Sequence, residues 1–177
     1  MKATVFAIPG GHLSGRDLRR DMGDPDWVDH YLDRAHPWDL AVKIESITDG
    51  PIVLIGYSVG GSLIGHMSLL LGNIVGVVVY ESPLIGVERV GGDFPVLWIE
   101  NDYKSTWRRE AESLEAFLKW FESHSTEVMV GEGRHVRLRF GWPPFGHAWD
   151  VRLNTRIAGF VREVGSGHTN SPPTDRK

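Results

Sequence analysis

One stretch limits what this chain can fold into. From Pro51 to Tyr80 there is no Asp, Glu, Lys or Arg. The run is long enough to span a bilayer. It is, however, broken by Gly56, Gly60, Gly61, His66, Gly72 and Asn73. It reads better as a buried strand over Ile52 to Ile55, a glycine turn, a buried helix over Ser58 to Leu71 and a buried strand over Ile74 to Tyr80. Strands that are apolar throughout, with an apolar helix between them, belong to a parallel sheet covered on both faces.

The flanking chain repeats this alternation. Thr4 to Ile8 is a short apolar run ending in Pro9-Gly10-Gly11, which predicts a buried strand and a tight loop. Residues 12 to 24 are polar and without period. Asp24-Pro25 has the form of an N-cap followed by proline at the first helical position, predicting a helix from Pro25 to about Ala35. A second helix is predicted from Pro37 to near Thr48, with Leu40, Ile44 and Ile47 on one face. The alternation of Leu40, Val42 and Ile44 would also suit a strand. Few residues are left for a further strand between Leu13 and Pro51, so one edge strand of the sheet is expected to be missing. After Tyr80 come a loop with three glycines over residues 81 to 94, a strand over Val96 to Ile99 and an amphipathic helix over Ser105 to His124 with Leu114, Phe117, Leu118 and Phe121 on one face. Val128 to Phe140 contains a strand. There Val136, Leu138 and Phe140 alternate with Arg137 and Arg139, which suits a half-exposed position near a sheet edge. The loop Gly141 to His147 leads to a last helix from about Trp149 to Val164. The expected fold class is therefore α/β: a compact, mostly parallel sheet of about five to six strands with helices on both faces. Residues 1–164 form one domain, and residues 165–177 are a Ser/Pro/Gly-rich tail expected to be disordered.

Composition narrows the chemistry. The chain of 177 residues has no cysteine, so thiolate nucleophiles, Cys-based zinc sites and disulfides are excluded. No two histidines have recognised ligand spacing, and no metal site is expected. A formal net charge of −4 gives no ground for nucleic acid as a partner. The apolar run at Ala3 to Ile8 is too short for a secretory leader, and with no disulfides the expected location is the cytoplasm. No integral membrane segment is expected. There is neither a phosphate-binding loop nor a dinucleotide fingerprint, so no cofactor is expected.

Within the uncharged run, Gly56-Tyr57-Ser58-Val59-Gly60 matches G-x-S-x-G. In a chain with 21 glycines the bare pattern arises by chance only about 0.17 times. Its context, an apolar strand before and an uncharged helix after, is what the motif requires. It sets serine on a sharp strand-to-helix turn, with small neighbours so that strand and helix can approach. Over roughly residues 3 to 164 the chain resembles the α/β-hydrolase fold family, in the order strand, Pro-Gly-Gly-His loop, elbow, acid loop, histidine loop. The resemblance implies a small, uncapped, esterase- or cutinase-like member with Ser58 as nucleophile.

The family's order is Ser, then Asp or Glu, then His. It implies His147, in the loop before the last helix, as the general base that takes the Ser58 proton and returns it to the leaving group. The other seven histidines stand in less suitable places. The acid that would orient His147 is Asp102, just beyond the strand Val96 to Ile99. The family's acid loop is usually longer, so Glu100 is a rival. Glu81 is another, because some family members carry their acid after the preceding strand. The oxyanion hole would take the amide of Val59, the residue after the nucleophile, and that of Gly11, with His12 next. Here Pro9-Gly10-Gly11-His12 resembles the family's His-Gly-x loop, with proline in place of the histidine.

Between Tyr80 and Pro95 there is no room for the cap that many family members insert, so an open, shallow site is expected. Tyr57, Trp142, Phe145 and Trp107 are expected to contact the substrate, a small-molecule or lipid ester. The activity implied is cleavage of carboxylic esters or thioesters through an acyl-enzyme intermediate. The alternative is a non-catalytic binding protein of the same fold, since fold does not guarantee activity.

Overall fold

The computed structural model describes residues 2–11, 13–82, 94–101, 136–140, 149 and 151–166. In chain order they form β1 (Thr4–Ile8), α1 (Gly15–Asp21), β2 (His30–Tyr31), α2 (Pro37–Ile47), β3 (Ile52–Tyr57), α3 (Val59–Met67), β4 (Ile74–Tyr80), β5 (Val96–Asn101), β6 (Val136–Phe140), a 3₁₀ turn (Val151–Leu153) and α4 (Asn154–Gly165). The predicted helix Ser105 to His124, the loop 141 to 147 and nearly all of the tail lie outside the described residues.

The strands make one six-stranded sheet in the order β2-β1-β3-β4-β5-β6. Every neighbouring pair is parallel. Alternate side chains of each strand enter opposite cores. On one face Phe6, Ile8, Leu54, Val77, Val79 and Trp98 pack with Leu40 and Ile44 of α2 and Ile64 and Met67 of α3. On the other, Val5, Ala7, Val53, Ile55, Val78 and Leu97 pack with Leu18 of α1 and Ile157, Phe160 and Val161 of α4. This two-sided burial is why the central strands read as continuous apolar runs. Among the described residues no helix is long and apolar enough to cross a membrane. The uncharged run is instead β3, α3 and β4, as its glycines require.

The first fifty residues depart from the sequence reading. The region taken as irregular contains α1. Ser14 caps it: the Ser14 hydroxyl accepts from the Asp17 amide (3.1 Å) while Asp17 Oδ2 accepts from the Ser14 amide (3.0 Å). This reciprocal capping box was legible as Ser-x-x-Asp, but with one apolar side chain, Leu18, buried on the helix there was no period to find. Asp24 does not open a helix at Pro25. It closes α1: the Asp24 amide donates to the Arg19 carbonyl (2.9 Å) and the Gly23 amide to the Arg20 carbonyl (3.0 Å), with Gly23 at φ 74°. That is a Schellman motif, and glycine supplies its left-handed residue. The predicted helix over Pro25 to Ala35 is absent as well. His30–Tyr31 pairs in parallel with Phe6 and Ala7, so sheet pairing overrides the local helix signal. The edge strand expected to be missing is therefore present, two residues long.

Candidate active site

The chain winds from β1 outward to β2, then returns across β1 to β3 and continues away through β4, β5 and β6. The winding direction reverses between β1 and β3. In open parallel sheets the crevice beyond the carboxyl ends of strands at such a switch point is where ligands bind. The structure puts the elbow there.

β3 ends at Tyr57 and α3 begins at Val59, leaving Ser58 as the whole turn. Its backbone is at φ 55° and ψ −126°, a conformation that L side chains rarely adopt. The strain is held from both sides. The Ser58 amide donates to the Tyr80 carbonyl of β4 (2.8 Å), and the Ser58 carbonyl accepts from the Gly61 amide (2.9 Å). The Ser58 hydroxyl makes no capping bond to α3. The glycines of the motif each answer a close approach. A Cβ on Gly56 would come within 2.6 Å of the Gly61 backbone, and one on Gly60 would collide with the carbonyls of Ile8 and Pro9 at the end of β1.

Gly10, named in the sequence only as part of the Pro-Gly-Gly-His loop, is the residue that abuts the serine. A Cβ there would overlap Ser58 Cβ and stand 2.9 Å from Ser58 Oγ. The available signal was a glycine pair following the strand next to the elbow strand. Gly10 opens a turn closed by the Leu13 amide on the Gly10 carbonyl (3.1 Å), with Gly11 at φ 55°. Val59 is the first residue of α3, where helix geometry leaves amides without intrahelical partners and favours negative charge; the first turn of α3 carries no acidic residue.

Glu81 directly follows β4, the strand beside β3. It is 5% exposed, its φ is 46°, and its amide donates to the Ile99 carbonyl of β5 (2.8 Å). Burial, and secondarily the charge of Glu81, push the Tyr57 hydroxyl well above the ordinary tyrosine range. Tyr57 was expected to touch substrate; at 4% exposure it instead packs edge-on against Tyr80 and Trp149, because its register on β3 turns it into the core shared with α1 and α4.

β5 runs to Asn101, two residues beyond the predicted Ile99, and Glu100 lies within it, opposite Arg139 of β6. In sequence Asp102 therefore follows the strand end directly, which widens the departure from the family's usual longer acid loop. The structures of Asp102, His147, His12, Trp107, Trp142 and Phe145 lie outside the described residues. What the described part brings together is Ser58, Gly10, Gly11, Val59 and Glu81, at the carboxyl ends of three adjacent strands.

This architecture, with serine on a left-handed elbow after the central strand of a parallel sheet, is the α/β-hydrolase fold. Comparison with protein-family models and with curated protein sequences found no match. Solved structures share the fold. The esterase PE8 is 16% identical, with a TM-score of 0.64 over 92% of this chain and 93% of its own. A carboxylesterase from Bacillus cereus is 14% identical, with a TM-score of 0.61 over 92% of this chain and 89% of its own. A pyrethroid hydrolase from Sphingobium faniae is 12% identical, with a TM-score of 0.57 over 91% of this chain and 98% of its own.

Proposed function

We propose that the protein is a serine hydrolase that cleaves carboxylic esters or thioesters through an acyl-enzyme intermediate on Ser58. The observation that carries this reading is Ser58 itself: a serine held in a backbone conformation suited to glycine, at the carboxyl end of the central strand, with Gly10 packed against it. Strain of this kind costs on the order of 1–3 kcal/mol and persists where function requires it. That two of the structures sharing the fold are by name an esterase and a carboxylesterase agrees with it.

In the proposed reaction Ser58 Oγ attacks the ester carbonyl carbon as His147 takes the hydroxyl proton. The carbonyl oxygen becomes negative and is met by the amides of Val59 and Gly11, with His12 next; each such donor contributes about 3 kcal/mol to the transition state. The tetrahedral intermediate collapses, its bond to the alcohol or thiol breaks, and the leaving group takes the proton from His147. Water, deprotonated by His147, then attacks the acyl carbon; the bond to Ser58 Oγ breaks, Oγ takes that proton back from His147, and the acid leaves. Asp102 is assigned the orientation of His147, with Glu100 and Glu81 as rivals; the burial and left-handed backbone of Glu81 favour it over Glu100. Trp142, Phe145 and Trp107 are assigned to the acyl-binding wall.

The test is intact mass after incubation with a fluorophosphonate, together with hydrolysis of a p-nitrophenyl ester. One adduct on the native protein and none on Ser58→Ala, with ester turnover falling on the order of 10⁶-fold in the variant, is expected. No adduct on a folded native protein would leave the elbow as a structural turn and the non-catalytic binding reading in its place.

A further inference from the structure

Trp149 stands two residues beyond His147, and its surroundings give it a definite task. Its ring stacks on Tyr80 (centroids 4.2 Å apart, planes at 18°) and meets Tyr57 edge-on (6.0 Å, 76°). Tyr57 immediately precedes Ser58, and Tyr80 immediately precedes Glu81. The indole N–H donates to Asn154 Oδ1 (2.9 Å), and Asn154 Nδ2 donates in turn to the Met22 carbonyl (2.7 Å) at the end of α1. The ring is thus fixed in plane by aromatic contacts from two strand ends and in rotation by one hydrogen bond to an amide that is itself anchored.

From this arrangement we infer that Trp149 is a positioning residue for the reaction proposed above, pinning the chain that carries His147 against the strand ends that carry Ser58 and Glu81. Two peptide steps span at most about 7 Å, so the covalent chain ties His147 to this clamp wherever its loop runs. The hydrogen bond matters separately from the stacking. A phenyl ring can occupy the same slot between Tyr57 and Tyr80, whereas only a donor at the indole position engages Asn154. The inference rests on the hydrolase reading, and a general base displaced by about 1 Å loses on the order of 10²-fold in rate without a matching loss of binding.

The experiment uses the full chain and three variants, Trp149→Ala, Trp149→Phe and Asn154→Ala, each checked for a cooperative thermal melt. Ester hydrolysis is measured as kcat and KM across pH, and the rate of fluorophosphonate labelling is measured in parallel. Trp149→Ala is expected to lower kcat and the labelling rate together by on the order of 10- to 100-fold with KM little changed, Trp149→Phe to recover most of that loss, and the pH at half-maximal rate to move in the alanine variant only. Asn154→Ala, which keeps the stacked ring, is expected to lose about 3- to 10-fold in kcat, and it carries the test if Trp149→Ala does not fold. A folded Trp149→Ala or Asn154→Ala with native kcat and native pH profile would overturn the positioning role while leaving the hydrolase reading intact. A native protein without Ser58-dependent turnover or labelling would overturn both.

Discussion

At Ser58 the backbone and the side chain want different things. The conformation at φ 55° and ψ −126° is one that glycine adopts freely, yet the proposed chemistry needs a hydroxyl. Two substitutions separate these demands. Ser58→Gly and Ser58→Ala both remove the nucleophile, but only glycine relieves the strain. Ser58→Gly is expected to be the more stable in urea unfolding by about 1–2 kcal/mol; equal midpoints would mean that the elbow is not strained in solution. The acid is decided at the same scale. If Asp102 orients His147, Asp102→Asn should lower kcat by on the order of 10⁴-fold while Glu81→Gln stays within about a factor of ten of native; the reverse order would move the role to Glu81. Residue chemistry of this kind was partly legible in the sequence. The motif announced Ser58, Gly56 and Gly60 because each has one demanding geometric reason to be what it is. The role of Gly10 against the serine was not legible, although its loop was, because its reason is the side chain of a residue 48 positions away (Gly10 to Ser58), and no local pattern records a contact of that range.

Elements were legible in proportion to how apolar and how regular they are. β4 lies where the sequence put it, and α2 spans Pro37–Ile47 with Leu40 and Ile44 of the predicted face buried, while Ile47, the third residue of that face, is exposed and Ala41 is buried in its stead. α1 and β2 were misread because neither is held by periodicity: α1 is held by its ends and β2 by its neighbour. Their ends make a prediction. The Ser14 amide and hydroxyl hold the Asp17 carboxyl below the usual carboxylate range, and the hydrogen bonds from Arg19 do the same for Asp24. A carboxylate whose folded pKa is lowered contributes stability that is fully present above the unfolded value of 3.8 and is lost as pH falls through the folded value. α1 should therefore loosen selectively below that pH, before the sheet does. Amide exchange read across residues 15–24 from about pH 5 to pH 2 should show protection falling first there. In Asp17→Asn and Asp24→Asn together that pH dependence should largely disappear. Uniform loss of protection along the whole chain would show that these two caps are not what acid breaks.

For the molecule as a whole the decisive fact is that one sheet is the floor of two cores. The fold class was readable because the strands are apolar on both faces, and a strand of that kind has no stable place except between two layers of helices. The same fact forbids the two cores from melting separately. Leu54 lies at the centre of β3, fully buried against α2 and α3, flanked across the sheet by Phe6 and Val77. Val53 and Ile55, on either side of it, serve the opposite core with α1 and α4. Leu54→Ala opens a cavity on one face only, at a cost of about 2–5 kcal/mol. For a domain of this size that lowers the melting temperature by roughly 5–20 °C. Because the backbone that Leu54 anchors also positions Val53 and Ile55, the loss should be felt equally on the far face. The near-UV circular dichroism that Leu54→Ala loses on the further change Trp149→Phe, which isolates the contribution of the Trp149 ring on that far face, should disappear at the same lowered temperature as the far-UV helix band. If the near-UV signal instead kept its native midpoint while part of the helix signal melted early, the faces would be separate cooperative units. The proposed active site, whose aromatic clamp belongs to the α1 and α4 face, would then be insulated from damage to the other.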